Sequence, residues 1–141
     1  MGKNAKYAVD TAKANPVYPS FRPKIDPDIV KSVITVDDQV VPGAEFYADT
    51  NWIMPGTEGD ITLAERHTHE FGEMLGFYGL NYDNIQDLGA EIEIVIDGEN
   101  NILDRSFAAY VPPGIQHGPI IVRNVERPIF WVSSGRAPRY E

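Results

Sequence analysis

Cysteine is absent from this chain, which excludes disulfides, thiolate metal sites and a cysteine nucleophile. Basic residues are few: 12 Lys and Arg stand against 21 Asp and Glu, giving a formal net charge of −9. Without a basic patch to release counterions from phosphates, nucleic acid is not an expected partner. Long apolar runs are missing as well. None approaches the roughly 18 residues a membrane span needs, so no membrane partner is expected. Residues 1–6 have no apolar stretch behind them to act as a signal peptide, and Lys6 stands where a myristoylation signal places Ser or Thr. A cytoplasmic location is the resulting expectation. Histidine is rare too: there are three in 141 residues, His67, His69 and His117.

What is present is mostly β pattern. At 43% hydrophobic residues the chain is long enough for one real core. Prolines at 16, 19, 23 and 27 bar a regular helix or central strand from the start, so residues 1–28 read as an extended arm. Its apolar residues Val17, Tyr18 and Phe21 suggest that it packs on something, a second subunit included. From residue 29 onward short strand candidates follow one another: 30–36, 44–54, 61–69, 73–79, 91–96, 102–105, 108–111, 117–125 and 128–132. Asp97-Gly98 is a hairpin turn signal between two of them. Strands and turns at this spacing mean a sandwich or barrel over 29–141. Phe71, Leu75, Phe77, Ile94, Ile96, Val111, Ile129 and Trp131 read as its core. The polar stretch 80–88 breaks the rhythm and marks a loop suited to specificity.

The scarce histidines carry the chemistry. In a strand, residues two apart share a face, so His67 and His69 would project together, and Glu73 matches their parity. His117 follows a Pro-Pro-Gly turn in a distant segment. Three imidazoles and a carboxylate suit Fe, Mn, Ni, Cu, Co or Zn. Glu70 has the opposite parity and should face away, although a one-residue slip would exchange it with Glu73. Tyr47, Tyr78, Tyr82, Tyr110 and Trp52 are candidates to line a pocket. Tyr78, Tyr82 and Tyr110 are taken as candidate acid/base hydroxyls. Gln116 beside His117 is read either as a ligand contact or as solvent-facing. Arg66, Arg105, Arg123, Arg127 and Arg136 read mainly as surface partners of the abundant acids.

The spacings His67-Thr-His69-Glu-Phe-Gly-Glu73 and Pro112-Pro-Gly114-Ile-Gln-His117 resemble the two motifs of the cupin superfamily. The resemblance covers roughly residues 40–133. More narrowly, the run from His67 through residues 87–93 looks like a group of small single-domain prokaryotic cupins. It departs from the family pattern at Ile61, Gly79, Ser106 and Ile121, which are backbone-shaping or outer positions rather than ligands. The resemblance implies an antiparallel jelly-roll β-barrel, often a homodimer. It implies one divalent transition metal per chain, held by His67, His69, Glu73 and His117.

Three functions are compatible with that reading. The first is a metal-dependent enzyme acting on a small organic substrate, either a dioxygenase or a lyase, isomerase or decarboxylase. The second is a non-catalytic module that binds metal or a small ligand, such as a sensor. The third is a purely structural metal site.

Overall fold

The computed structural model describes residues 3–11, 18–56 and 58–141; Pro16 and Val17 of the arm lie outside these. Among the described residues one 3₁₀ turn at Ala5–Tyr7 precedes nine strands. The strands are β1 (Val30–Val36), β2 (Tyr47–Ile53), β3 (Ile61–Ala64), β4 (Glu73–Gly79) and β5 (Asp87–Ile96), then β6 (Glu99–Arg105), β7 (Phe107–Val111), β8 (His117–Arg123) and β9 (Ile129–Gly135). No helix among the described residues is long and apolar enough to cross a membrane.

All strand pairs are antiparallel, and they form two sheets. One is ordered β1-β2-β9-β4-β7, the other β3-β8-β5-β6. From β2 to β5, and again from β6 to β9, the chain alternates between the sheets, which is the path of a jelly roll. The Asp97-Gly98 signal closes the β5–β6 hairpin, both residues having positive φ (51° and 77°). Facing side chains fill the space between the sheets: Leu75, Phe77 and Trp131 from one side, Leu63, Ile92 and Ile120 from the other. The Phe77 and Trp131 rings lie parallel, with centroids 5.9 Å apart.

Alternation explains which residues went inside. Along β4 the side chains of Glu73, Leu75 and Phe77 are buried, as is Gly76, while Met74 and Tyr78 point outward. β2 buries Tyr47, Asp49, Asn51 and Ile53, so its inner face carries an acid and an amide where hydrocarbon is usual. Residues 18–28 do not stand away from the sheets. Phe21 and Ile25 pack against the core of their own chain, and the Phe21 carbonyl accepts the Glu65 amide at 2.7 Å. Residues 18–28 therefore have apolar contact within their own chain.

The strand register also corrects the expectation for the loop at 80–88. Glu73 opens β4 and Gly79 closes it, so the loop leaves the end of the jelly roll opposite Glu73. Seven residues at about 3.3 Å each put about 20 Å between the two ends. Asp87 and Leu88 already belong to β5. The loop cannot line a site built around the histidines.

Candidate metal centre

His67, His69, Glu73 and His117 come together, with one donor atom of each within 4.8 Å of the others. The route differs from the simple strand expectation. β3 ends at Ala64, and neither His67 nor His69 lies in a named strand. His67 is placed by an isolated bridge to His117, with the amide of each bonded to the carbonyl of the other at 2.8 and 2.9 Å. Gly118 permits this approach. It has φ of 94°, and a Cβ there would stand 2.6 Å from the Glu65 carbonyl oxygen. The His69 carbonyl accepts the Gly114 amide at 2.8 Å, which ties the turn before β8 to the first motif.

The imidazoles are oriented for a cation. His67 Nδ1 lies 2.7 Å from the Glu65 carbonyl oxygen, and His117 Nδ1 lies 3.1 Å from that of Ile115. A carbonyl only accepts, so each Nδ1 donates, and in the neutral ring Nε2 then carries a lone pair. Those Nε2 atoms point into the cluster. His117 Nε2 faces Glu73 Oε1 at 3.3 Å, and His69 Nε2 faces Glu73 Oε2 at 3.4 Å. The buried Nε2 atoms of His67 and His69 have no hydrogen-bond partner. Lone pairs gathered on a buried carboxylate repel unless a proton or a metal ion lies among them. Backbone carbonyls that fix the imidazole tautomer are the usual outer support of metal-bound histidine. The donor set therefore fits a divalent transition metal.

The electrostatics agree. Burial lowers the His67 pKa from 6.5 to about 4, with the neighbouring imidazoles pushing the same way. Burial works to raise Glu73, but the hydrogen bonds it receives when a proton sits on His117 or His69 Nε2, together with that from Tyr47, hold it down to about 2. The Tyr47 hydroxyl, fully buried, donates to Glu73 Oε2. Burial first, and then the Glu73 charge, pushes the pKa of that phenol upward. Both depressed groups make the metal-free fold weaker in acid. His67 contributes full stability above pH 6.5, and this is lost as pH falls toward about 4. Glu73 contributes full stability above about 4.5, lost as pH falls toward about 2. Thermal melts of metal-free protein should drop between pH 7 and 4. A His67→Gln variant that showed the same drop over pH 6.5–5 would refute the His67 assignment.

Two aromatic side chains pack against the cluster and its Tyr47 support. The Phe21 ring stacks on His67 with centroids 3.5 Å apart and planes 3° apart, and it meets Tyr140 edge-on at 5.7 Å. Tyr140 in turn stacks on Tyr47 at 4.8 Å. A surface cavity of about 370 Å³ lies against Phe21 and Tyr140.

The other expected residues sit elsewhere. Tyr78 and Tyr110 are outward-facing on β4 and β7, and Tyr82 is 87% exposed on the loop at the opposite end. None of the three lies among the cluster's ring or hydrogen-bond contacts, because each has the parity opposite to its strand's buried residues or lies off the strands. Tyr47 is the tyrosine that reaches the cluster. Trp52 packs on Phe130 instead, at 4.8 Å. Glu70 and Gln116 are exposed. Arg123 and Arg127 pair with surface acids, as their type suggests. Sequence reading missed Arg22. Its side chain is 5% exposed and lies 2.8 Å from a fully buried Asp49.

No protein-family model matches the chain, and no curated protein does. Solved structures do. A recombinant oxalate oxidase in complex with glycolate matches at 12% identity and a TM-score of 0.58, over 99% of this chain and 63% of that one. A second oxalate oxidase structure matches at 12% identity and a TM-score of 0.55, over 95% of this chain and 60% of that one. This chain thus spans about three-fifths of their length. At that identity the likeness is one of fold.

Proposed function

On the premise that this chain has the fold of the cupin superfamily, we propose that it is a metal-dependent enzyme acting on a small organic molecule. The metal ligands are His67, His69, Glu73 and His117, one divalent ion per chain. The observation that carries this reading is the convergence of the imidazole Nε2 atoms on a buried carboxylate, two of them without a partner. A metal bound there supplies Lewis-acid polarisation of a carboxylate, carbonyl or enol oxygen or, if it is Fe(II), an O2 site. The chain's own residues supply the rest. Backbone carbonyls of Glu65 and Ile115 aim two imidazoles, Tyr47 holds one Glu73 oxygen, and Phe21 stacks on His67 with Tyr140 against it. The same reading keeps residues 1–28 as an arm serving a catalytic unit of 29–141.

The test is elemental analysis of protein purified without added metal, followed by assays on small carboxylic acids with and without O2. Glycolate is the first compound to try, since an oxalate oxidase of this fold binds it. Turnover without O2 leaves a lyase, isomerase or decarboxylase and removes the dioxygenase. Protein that neither contains metal nor takes it up sinks the proposal. A second reading has its own support. The packing of Phe21 and Tyr140 suits a non-catalytic module that holds metal or ligand out of solvent. Metal-loaded protein inert toward small acids in both atmospheres would favour it, and loss of the fold on chelation would point to a structural ion instead.

A homodimer belongs to the same proposal. Phe46, Met74 and Tyr110 are exposed by 63%, 38% and 65%, with Met74 and Tyr110 paired across β4 and β7 on the outer face. That patch is suited to a second copy. Sedimentation equilibrium at micromolar protein should give twice the 15.7 kDa chain mass, and a monomer would refute it.

A further inference from the structure

Asp49 poses a question that the metal cluster does not answer. It is 0% exposed on the inner face of β2, where its carboxylate takes Thr35 Oγ1 at 2.5 Å, Asn51 Nδ2 at 2.9 Å and Arg22 Nη1 at 2.8 Å. The neutralising cation comes from the proline-rich arm rather than from the sheets. The Arg22 guanidinium lies 4.3 Å from the Tyr18 ring centroid, 4.5 Å from that of Trp131 and 5.7 Å from that of Tyr140. Tyr140 Oη accepts from it at 3.3 Å. A carboxylate walled by aromatic faces is a cage for an organic cation.

Beside this cage lie three more buried polar atoms with no hydrogen-bond partner: Asn51 Oδ1, Trp131 Nε1 and Ser133 Oγ. The three residues are exposed by 0%, 1% and 0%. They occupy neighbouring inner positions, since Asn51 pairs with Trp131, and Ser133 with Asp49, across β2 and β9. Buried polar groups are normally satisfied, so three unpartnered ones beside a buried charge are groups that a polar occupant would satisfy. The arm spans both halves of this interior. Phe21 covers His67, and the next residue, Arg22, fills the cage.

We propose that the Asp49 cage and the metal cluster are the two ends of one ligand site, that Phe21 and Arg22 occupy it when no ligand is bound, and that the ligand carries a guanidinium or alkylammonium group joined to an oxygen donor for the metal. The inference rests on the metal reading given above. Its physical reason is charge. Asp49 sits on a sheet strand and cannot leave, and a buried carboxylate stripped of its cation is strongly unfavourable. A ligand that displaces the arm must therefore bring a positive charge with it. Register gives the span. Asp49 lies two residues along from the Tyr47–Gly135–Glu73 row and two strands across from β4. That is about 7 Å along and about 10 Å across between backbones, and less between side chains. A chain of a few carbons bridges it.

Isothermal titration of butylguanidine, 4-guanidinobutyrate and butyrate into metal-free and metal-loaded protein tests both ends. Arg22→Ala should bind butylguanidine at least tenfold more tightly than the unaltered protein, with or without metal. The same variant should bind 4-guanidinobutyrate a further tenfold more tightly only when metal is present, and butyrate should gain nothing from the substitution. Phe21→Ala, which loosens the arm and keeps the Arg22–Asp49 pair, should gain severalfold for both guanidines and decides the matter if Arg22→Ala does not fold. Guanidine affinities unchanged in the folded variants would overturn the cage and leave Arg22 as an anchor. Equal 4-guanidinobutyrate affinity with and without metal would overturn the two-ended ligand. The metal-free butylguanidine measurement stands even if the metal assignment fails, so the two failures are distinguishable.

Discussion

His69→Ala and His117→Ala should each deprive the protein of most of its metal while leaving it folded. Each substitution removes one of four donors from a site whose position is set by the sheets rather than by the ion. The bridge between residues 67 and 117 uses backbone atoms, and the core of Leu63, Phe77, Ile92 and Trp131 lies beyond the cluster. Outer partners of metal ligands typically cost ~10–100-fold in affinity when lost, and a direct donor should cost more. Tyr47→Phe supplies the internal comparison. It keeps the ring that stacks on Tyr140 and removes the hydrogen bond to Glu73, so its loss should fall within that ~10–100-fold range. Metal titration with far-UV circular dichroism reads both quantities. Full metal content in the two histidine variants would refute the ligand assignment. Loss of β signal in them would show instead that the imidazoles hold the fold.

The four candidate ligands were legible because histidine is rare here and because the first motif packs three of them into seven residues. The β rhythm was legible for a similar reason: β1 and β4 have the bounds that alternation and turn residues gave, 30–36 and 73–79. The alternation over 61–69 predicts one continuous strand carrying His67 and His69, but they do not share one. The strand stops at Ala64, and a long-range bridge to His117 does the placing. Tyr47 could not be singled out from the other tyrosines, because its partner is 26 residues away and the inner face of β2 reads Tyr, Asp, Asn, Ile, which has no apolar alternation. Arg22 and Tyr140 are 118 residues apart and meet only in the folded chain. An arm rich in proline has no period, so nothing in it indicates which side chain turns inward.

Arg22→Ala should cost about 3–5 kcal/mol, the range for breaking one side of a buried ion pair and as much as truncating a large core side chain. The two partners are not equivalent. Asp49 is fixed on β2 and would remain buried with only Thr35 and Asn51 to bond it. Arg22 sits on the arm, whose remaining hold includes the Phe21 ring and one backbone bond to Glu65, so its guanidinium can withdraw into solvent. Asp49→Asn should accordingly cost less than Arg22→Ala, even though the same ion pair is broken in both. The double substitution Arg22→Ala with Asp49→Asn should recover most of the loss, because it removes the stranded charge and keeps a side chain that can bond Thr35. Urea unfolding of the four proteins at pH 7 measures the cycle. Equal costs for the two single substitutions, or no recovery in the double, would mean that Arg22 acts through its packing on Trp131 and Tyr18 and not through its charge. The asymmetry matters beyond stability. A carboxylate that cannot move, facing a cation that can, gives this interior its demand for positive charge, and the arm is what currently meets it.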